Sequence, residues 1–171
     1  MNTNINTQFK TNRVMLADSY KYSHPWQYPK GTTAMYDYAE ARSTKVYEKT
    51  VFFGLQYILK NYFSTPITEE EVVEAKIYAE QHGIPFDGDG WFYIARELGG
   101  KLPVKIRAVK EGSVIPNGNV LFTIESTDPK VFWVASWFET VLMKVWYTCN
   151  VATRSYYVKQ MLTEYAEKTV D

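Results

Sequence analysis

Six side chains near the amino terminus are of the types that hold a small polar ligand: Asp18, Ser19, Tyr20, Lys21 and His24 in one short stretch, and Arg42 further along. The first five lie within Leu16-Ala-Asp-Ser-Tyr-Lys-Tyr-Ser-His-Pro-Trp-Gln-Tyr-Pro29, which mixes aromatic rings with an acid, a lysine and a histidine and has neither a helical nor a strand period. Such a run reads as a loop that presents ring faces and polar groups together. A tyrosine face suits a flat, electron-poor ring, and nearby polar groups suit its substituents. An arginine fork at a strand end suits a phosphate. The residues alone leave other roles open: Tyr20 could anchor its own loop, and Arg42 could pair on the surface with Glu40 or Glu48.

The elements that must position these residues follow from periodicity. Thr33 to Glu40 alternates, with Ala34, Tyr36 and Tyr38 on one side and Met35, Asp37 and Ala39 on the other, so it reads as a strand that ends just before Arg42. Val51, Leu55, Ile58, Leu59 and Tyr62 fall at helical spacing and predict a helix over 50–63. Thr68-Glu-Glu-Glu71 has the capping-box pattern, and Gly83 followed by Pro85 stops the helix it opens. Asp89 is the expected cap of a short helix through Trp91, Ile94 and Leu98 to Gly99-Gly100, and these three helices are expected to form one layer.

Beyond Pro103 the pattern turns to alternation, at Val104 to Val109 and again at Asn119 to Glu125. The turn-rich Glu111-Gly-Ser-Val-Ile-Pro-Asn-Gly118 lies between them around a very short strand, which predicts an antiparallel meander. Asp128-Pro129 has the form of a cap and a first-turn proline, opening a nearly all-apolar helix to Tyr147. Thr148, Cys149 and Asn150 break the pattern before a more polar helix from about Val151 to Lys168. The sum is an α+β fold, a helical layer plus an antiparallel meander, in one domain over 13–171 behind a flexible tail over 1–12.

Composition narrows the chemistry. Lys+Arg and Asp+Glu both number 19, so the chain lacks the basic field of a nucleic-acid binder. The first twelve residues are polar, and no apolar run approaches the roughly eighteen residues of a membrane span, so neither a signal peptide nor a span is expected and the reading places the chain in the cytoplasm. The 14 tyrosines are too many for one core to hide with every hydroxyl satisfied, so some should be exposed or interfacial. Gly99-Gly-Lys101 lacks the flanking residues of a phosphate loop, and Asp87-Gly-Asp89-Gly puts Trp91 where a calcium ligand belongs. His24 and His82 have no ligand-spaced neighbours, so no protein-bound metal is expected. The lone Cys149 has no local base and reads as a small buried thiol.

Four ordered segments carry a resemblance over nearly the whole chain. Asp18-Ser-Tyr-Lys21 with His24 and Gln27-Tyr-Pro29, Thr50-Val-Phe-Phe-Gly-Leu-Gln-Tyr-Ile-Leu59, Glu111-Gly-Ser-Val-Ile-Pro-Asn-Gly-Asn-Val-Leu-Phe-Thr123, and Glu139-Thr140 with Val151-Ala-Thr153 resemble the amino-terminal region of nicotinamide phosphoribosyltransferases. Parts of this pattern also resemble the related nicotinate enzymes. The resemblance implies a homodimer of barrels, each with an amino-terminal α+β region, and active sites at the subunit interface. It implies that Tyr20 stacks on nicotinamide held by the other subunit, that Arg42 meets a phosphate, and that Asp18 shapes the pyridine pocket.

The reaction so implied joins nicotinamide to phosphoribosyl pyrophosphate, with magnesium on the leaving pyrophosphate. No metal ligand and no catalytic residue is assigned within the chain, because the barrel, with most of the site, is absent from these 171 residues. The expectation is therefore an amino-terminal part without transferase activity of its own. The alternative is a non-catalytic binding or regulatory subunit that pairs with a barrel-bearing phosphoribosyltransferase.

Overall fold

The computed structural model describes residues 11–43 and 45–170, so the first ten residues of the expected tail, with Thr44 and Asp171, lie outside the described residues. Ordered packing has begun by Asn12, whose side-chain amide donates to Glu71 O at 2.8 Å and to the Glu74 carboxylate at 2.9 Å. The elements in chain order are a 3-10 helix Ser19–Trp26, β1 Tyr36–Glu40, β2 Lys49–Val51, α1 Leu55–Tyr62, α2 Glu69–His82 and α3 Gly88–Arg96. They continue with β3 Val104–Ala108, β4 Val114–Pro116, β5 Val120–Ser126, a 3-10 turn Pro129–Val131, α4 Val134–Trp137, α5 Glu139–Leu142 and α6 Val145–Thr169. The class is α+β, with small antiparallel sheets.

The strands do not form the expected meander. β5 lies between β1 and β3, and β4 leaves that sheet to pair with β2. The cause is the Glu111–Gly118 turn chemistry. Gly112 and Gly118 both take positive φ, and backbone bonds from Phe52 N to Ser113 O, Gly112 N to Phe52 O and Asn117 N to Glu48 O pull the hairpin tip across to β2. The helix expected over 50–63 is shortened for the same reason. Thr50 and Val51 belong to β2, Thr50 Oγ1 and Asn117 Oδ1 lie 2.7 Å apart, and α1 starts only after Gly54.

The capping box of α2 forms as read: Thr68 Oγ1 accepts from Glu71 N, the Glu71 carboxylate accepts from Thr68 N, and Gly83 closes the helix with φ of 71°. The cap of α3 is Asp87 rather than Asp89, since the Asp87 carboxylate accepts from Gly90 N at 3.0 Å. α2 and α3 pack together, whereas the main helical neighbour of α1 is α5, so the three do not make one simple layer.

The apolar helix expected from Asp128 to Tyr147 is instead three short pieces followed by the start of α6 at Val145. Asp128 caps the 3-10 turn and accepts from Lys130 N at 2.8 Å, and the chain bends again between α4 and α5. Bending lets Trp133, Trp137 and Phe138 all reach Trp91, with ring centroids 5.3 to 6.2 Å apart. The break expected at Thr148-Cys149-Asn150 is absent, and α6 runs 25 residues through it. The Thr148 hydroxyl satisfies itself on Val145 O at 2.9 Å, so a polar residue there costs the helix little.

One buried ion pair joins the amino terminus to this frame. Arg13 Nε meets Glu71 Oε1 at 3.0 Å and Nη2 meets Glu71 Oε2 at 2.7 Å, with Arg13 6% and Glu71 4% exposed. The remaining guanidinium donors go to Thr65 and Pro66 O. Just beyond it, Trp137 Nε1 donates to Val14 O at 3.0 Å.

Two stability experiments follow. A Cβ on Gly54, whose φ is 103°, would lie 2.2 Å from Thr148 Oγ1, so Gly54→Ala should destabilise the chain by at least about 2 kcal/mol in urea unfolding. Burial alone would raise the Glu71 carboxyl, but hydrogen bonds from Arg13 and Thr68 outweigh it and hold it below its usual value. Its stabilisation is therefore present above the unfolded carboxylate range, near pH 4.3, and is lost as pH falls through the lower folded value. Arg13→Met should cost about 3–5 kcal/mol at neutral pH and flatten the acid limb of the stability profile.

Candidate functional site

The loop that read as irregular folds as a 3-10 helix, whose three-residue repeat is too short to show as a helical or strand period. Backbone bonds from Lys21 N to Asp18 O and from Gln27 N to His24 O bracket it. Neighbouring residues point about 120° apart in such a turn. Lys21 and Tyr22 consequently go inward, and Tyr20 and Trp26 go outward. Tyr22 packs on Trp137 at 4.7 Å between centroids, and burial of its hydroxyl, which has no partner among the described residues, pushes its pKa up to about 12.

Around this turn the predicted residues assemble. The Tyr20 hydroxyl donates to Asp18 Oδ2 at 3.1 Å, while its ring stays 53% exposed. His24 lies 5.4 Å from the Tyr20 ring, centroid to centroid, and Tyr28 stands edge-on to His24. Asp18 N donates to Thr140 Oγ1 at 3.3 Å. The Lys21 ammonium is buried, donates to Ser136 Oγ at 2.9 Å and pairs with Glu139. Burial, and after it the Lys21 charge, hold the His24 imidazole below its ordinary pKa, with Glu139 opposing.

Beside the loop, a cleft of about 230 Å³ opens between β1 and the α4 to α5 segment, lined by Asp37, Tyr38 and Phe122 on the sheet side and by Ser136, Glu139 and Met143 opposite. Partial desolvation raises the Asp37 carboxyl above its usual range, with Lys21 opposing and Glu139 adding to the shift. Arg42 does not join this group. It lines a second cleft of about 310 Å³ with Glu40, Tyr47, Asn117, Trp146 and Asn150. Among the described residues Arg42 makes no ion pair, so neither Glu40 nor Glu48 neutralises it. The two clefts share Ala39 and Met143, so they lie end to end along β1.

Sequence reasoning missed Asp37, Ser136 and the role of Glu139. One signal was present: Asp37 shares a strand face with Met35 and Ala39, and a carboxylate on a partly buried face is out of place there. Cys149 is buried, its thiol pushed up by that burial, and its sulfur faces the backbone of Phe53. Among the described residues no three His, Cys, Asp or Glu side chains gather as a metal-holding group, and no helix is long and apolar enough to cross a membrane.

The family described as nicotinamide phosphoribosyltransferase, N-terminal domain, matches residues 12–106. A nicotinamide phosphoribosyltransferase of Xanthomonas campestris is 50% identical over 160 residues, which cover 94% of this chain and 34% of that protein. Proteins of the same name from Acinetobacter baylyi and Mycoplasma genitalium are 29% and 25% identical over 94% and 96% of this chain, and 35% and 41% of their own lengths. The chain thus spans about a third of the length of the first of these relatives.

The hydrogen bond to Asp18 is the largest of the influences that raise the Tyr20 phenol above its ordinary pKa. Asp18→Asn should bring the Tyr20 titration back down toward the value of a free tyrosine, read from the ring carbon shifts of 13C-labelled tyrosine across the alkaline range. An unchanged midpoint would show that the contact does not hold in solution.

Proposed function

The chain belongs to the nicotinamide phosphoribosyltransferase family through its amino-terminal domain, and from that premise we propose that it forms the amino-terminal part of an enzyme that transfers the phosphoribosyl group of phosphoribosyl pyrophosphate to nicotinamide. The product is nicotinamide mononucleotide, made in the biosynthesis or salvage of NAD. The pyridine nitrogen attacks the anomeric carbon of the ribose, the bond to pyrophosphate breaks, and pyrophosphate leaves with its magnesium. Positioning and charge neutralisation carry such a displacement, without covalent chemistry between the protein and the sugar.

The observation that carries this reading is the pose of Tyr20: a ring half open to solvent whose hydroxyl is tied back to Asp18 and whose neighbours are fixed. A ring held by its edge with its face free is suited to stacking on a flat heteroaromatic. Arg42, exposed and without a carboxylate partner among the described residues, suits a phosphate oxygen. Tyr20 lines neither of the two clefts and Arg42 lines the second, so the two do not make one site by themselves, and in this reading the site is completed from across a homodimer interface. Magnesium enters with phosphoribosyl pyrophosphate, and none of the roles given to these residues depends on a protein ligand for it.

Two samples test the reading by mass-spectrometric detection of nicotinamide mononucleotide, after incubation with nicotinamide, phosphoribosyl pyrophosphate and magnesium. The chain alone should give none, and product from it would overturn the view that it holds only part of a site. A chimera in which residues 12–171 replace the matching region of the Xanthomonas campestris relative should make the product. Tyr20→Ala in that chimera should raise the nicotinamide KM by about tenfold, the worth of one ring stack. A folded chimera without activity would sink the reading, whereas product formed on mixing this chain with a separate barrel polypeptide would mark it as a subunit.

A further inference from the structure

Lys21 is a buried ammonium placed where an apolar side chain would serve packing as well. It is 4% exposed, with its charge met by Glu139 from α5 and Ser136 from α4. Burying a charge is costly even when it is paired, and a hydrophobic residue of like volume is often neutral or better for stability. A charge kept in such a place fits geometry better than stability. Glu139 is half open at 52% side-chain exposure, so the pair sits at the boundary between core and cleft.

The contacts show what that geometry controls. The five residues Ser136 to Thr140 grip the loop on both sides of Tyr20: the Thr140 hydroxyl takes the Asp18 N–H before it, and Ser136 with Glu139 takes the Lys21 ammonium after it. In a 3-10 turn the direction of one side chain dictates that of the next. Anchoring Lys21 inward therefore sets the angle at which Tyr20 leaves the surface. The Lys21 nitrogen also lies 5.4 Å from the Tyr20 ring centre, so the two side chains touch as well as adjoin in sequence.

We propose that the Lys21–Glu139 ion pair is the positioning device for Tyr20, fixing the orientation in which the ring is offered to the pyridine, so that both residues govern nicotinamide affinity without touching it. This rests on the reading of Tyr20 as the stacking ring. Neither residue enters the bond-making step. A stack made equally in the bound substrate and the transition state changes KM rather than kcat.

The test uses the chimera described above. Lys21→Met and Glu139→Gln should each raise the nicotinamide KM by about tenfold, leave kcat within about twofold and leave the KM for phosphoribosyl pyrophosphate unchanged. Loss of folded protein would instead lower the apparent kcat at constant KM, and overturns the proposal. If both variants keep the parent KM while Tyr20→Ala raises it, the ion pair does not position the ring and the reading of Tyr20 stands. If Tyr20→Ala also leaves KM unchanged, the reading of Tyr20 falls first.

A second readout needs only the 171-residue chain, whose two histidines can be followed by proton NMR. Lys21 and Glu139 are the charged groups that act on His24, in opposite senses. Lys21→Met should move the His24 titration up and Glu139→Gln should move it down. General loosening of the loop would relieve burial and move both upward. Shifts of opposite sign, with the Tyr20 to His24 ring cross-peak weakened in both variants, support the proposal even if the chimera does not fold. Unchanged His24 titrations and an unchanged cross-peak overturn it.

Discussion

The fold of the amino-terminal third hangs on a guanidinium that has nowhere else to go. Arg13 enters the interior beside the first turn of α2, and every donor that its fork offers there finds an acceptor: two on Glu71, the others on Thr65 and Pro66. Leaving one of those groups unpaired in the core would cost more than the pair contributes, which is why the contact acts as a fixed point rather than as one bond among many. Val14 is then tied to Trp137 through its carbonyl oxygen, and Lys21 to α4 and α5. The exposed part of the loop is thus a short span between buried anchors, and the pose of Tyr20 is inherited from the core.

Glu71 shows how one residue can serve two levels of structure. As part of Thr68-Glu-Glu-Glu71 it was legible as a local device, because a capping box involves residues only three apart. Its second role, receiving Arg13 from 58 positions away, left no mark in the local pattern. The same division runs through the site. Asp18, Tyr20, Lys21 and His24 could be grouped because they are neighbours in the chain, and the turn then brings their side chains into one cluster. Ser136 and Glu139 meet Lys21 across 115 and 118 positions, and no spacing rule reaches that far.

The misread elements share a cause too. Periodicity marked β1, β3 and β5 but read the residues of β2 into a helix, and it could not say which strand sits beside which, since β4 is only three residues long and its partner is chosen by backbone bonds with Phe52 and Glu48. The apolar run after Asp128 satisfied a helical pattern on every face, so nothing in it specified where the chain would bend. Three tryptophans wanting the same small volume decide that instead. At Thr148 the opposite happened: a residue that weakens helices in isolation is accommodated because its hydroxyl has an acceptor one turn back.

Among the described residues α6 is anchored toward its first half. Its buried side chains, Val145, Cys149 and Thr153, all fall in its first nine positions, while Val158, Met161, Leu162 and Tyr165 are open to solvent along the rest. Half-buried Tyr157 adds a further contact, its ring stacked on Tyr47 and its hydroxyl accepting from Lys49 N. At 1.5 Å per residue the helix beyond it extends roughly 18 Å, a length at which a free helix in water is only marginally formed. The helix should therefore open from its far end inward, with amide protection falling stepwise beyond Tyr157. The temperature at which the far end melts would then report on what lies against that apolar stripe, independently of the stability of the core.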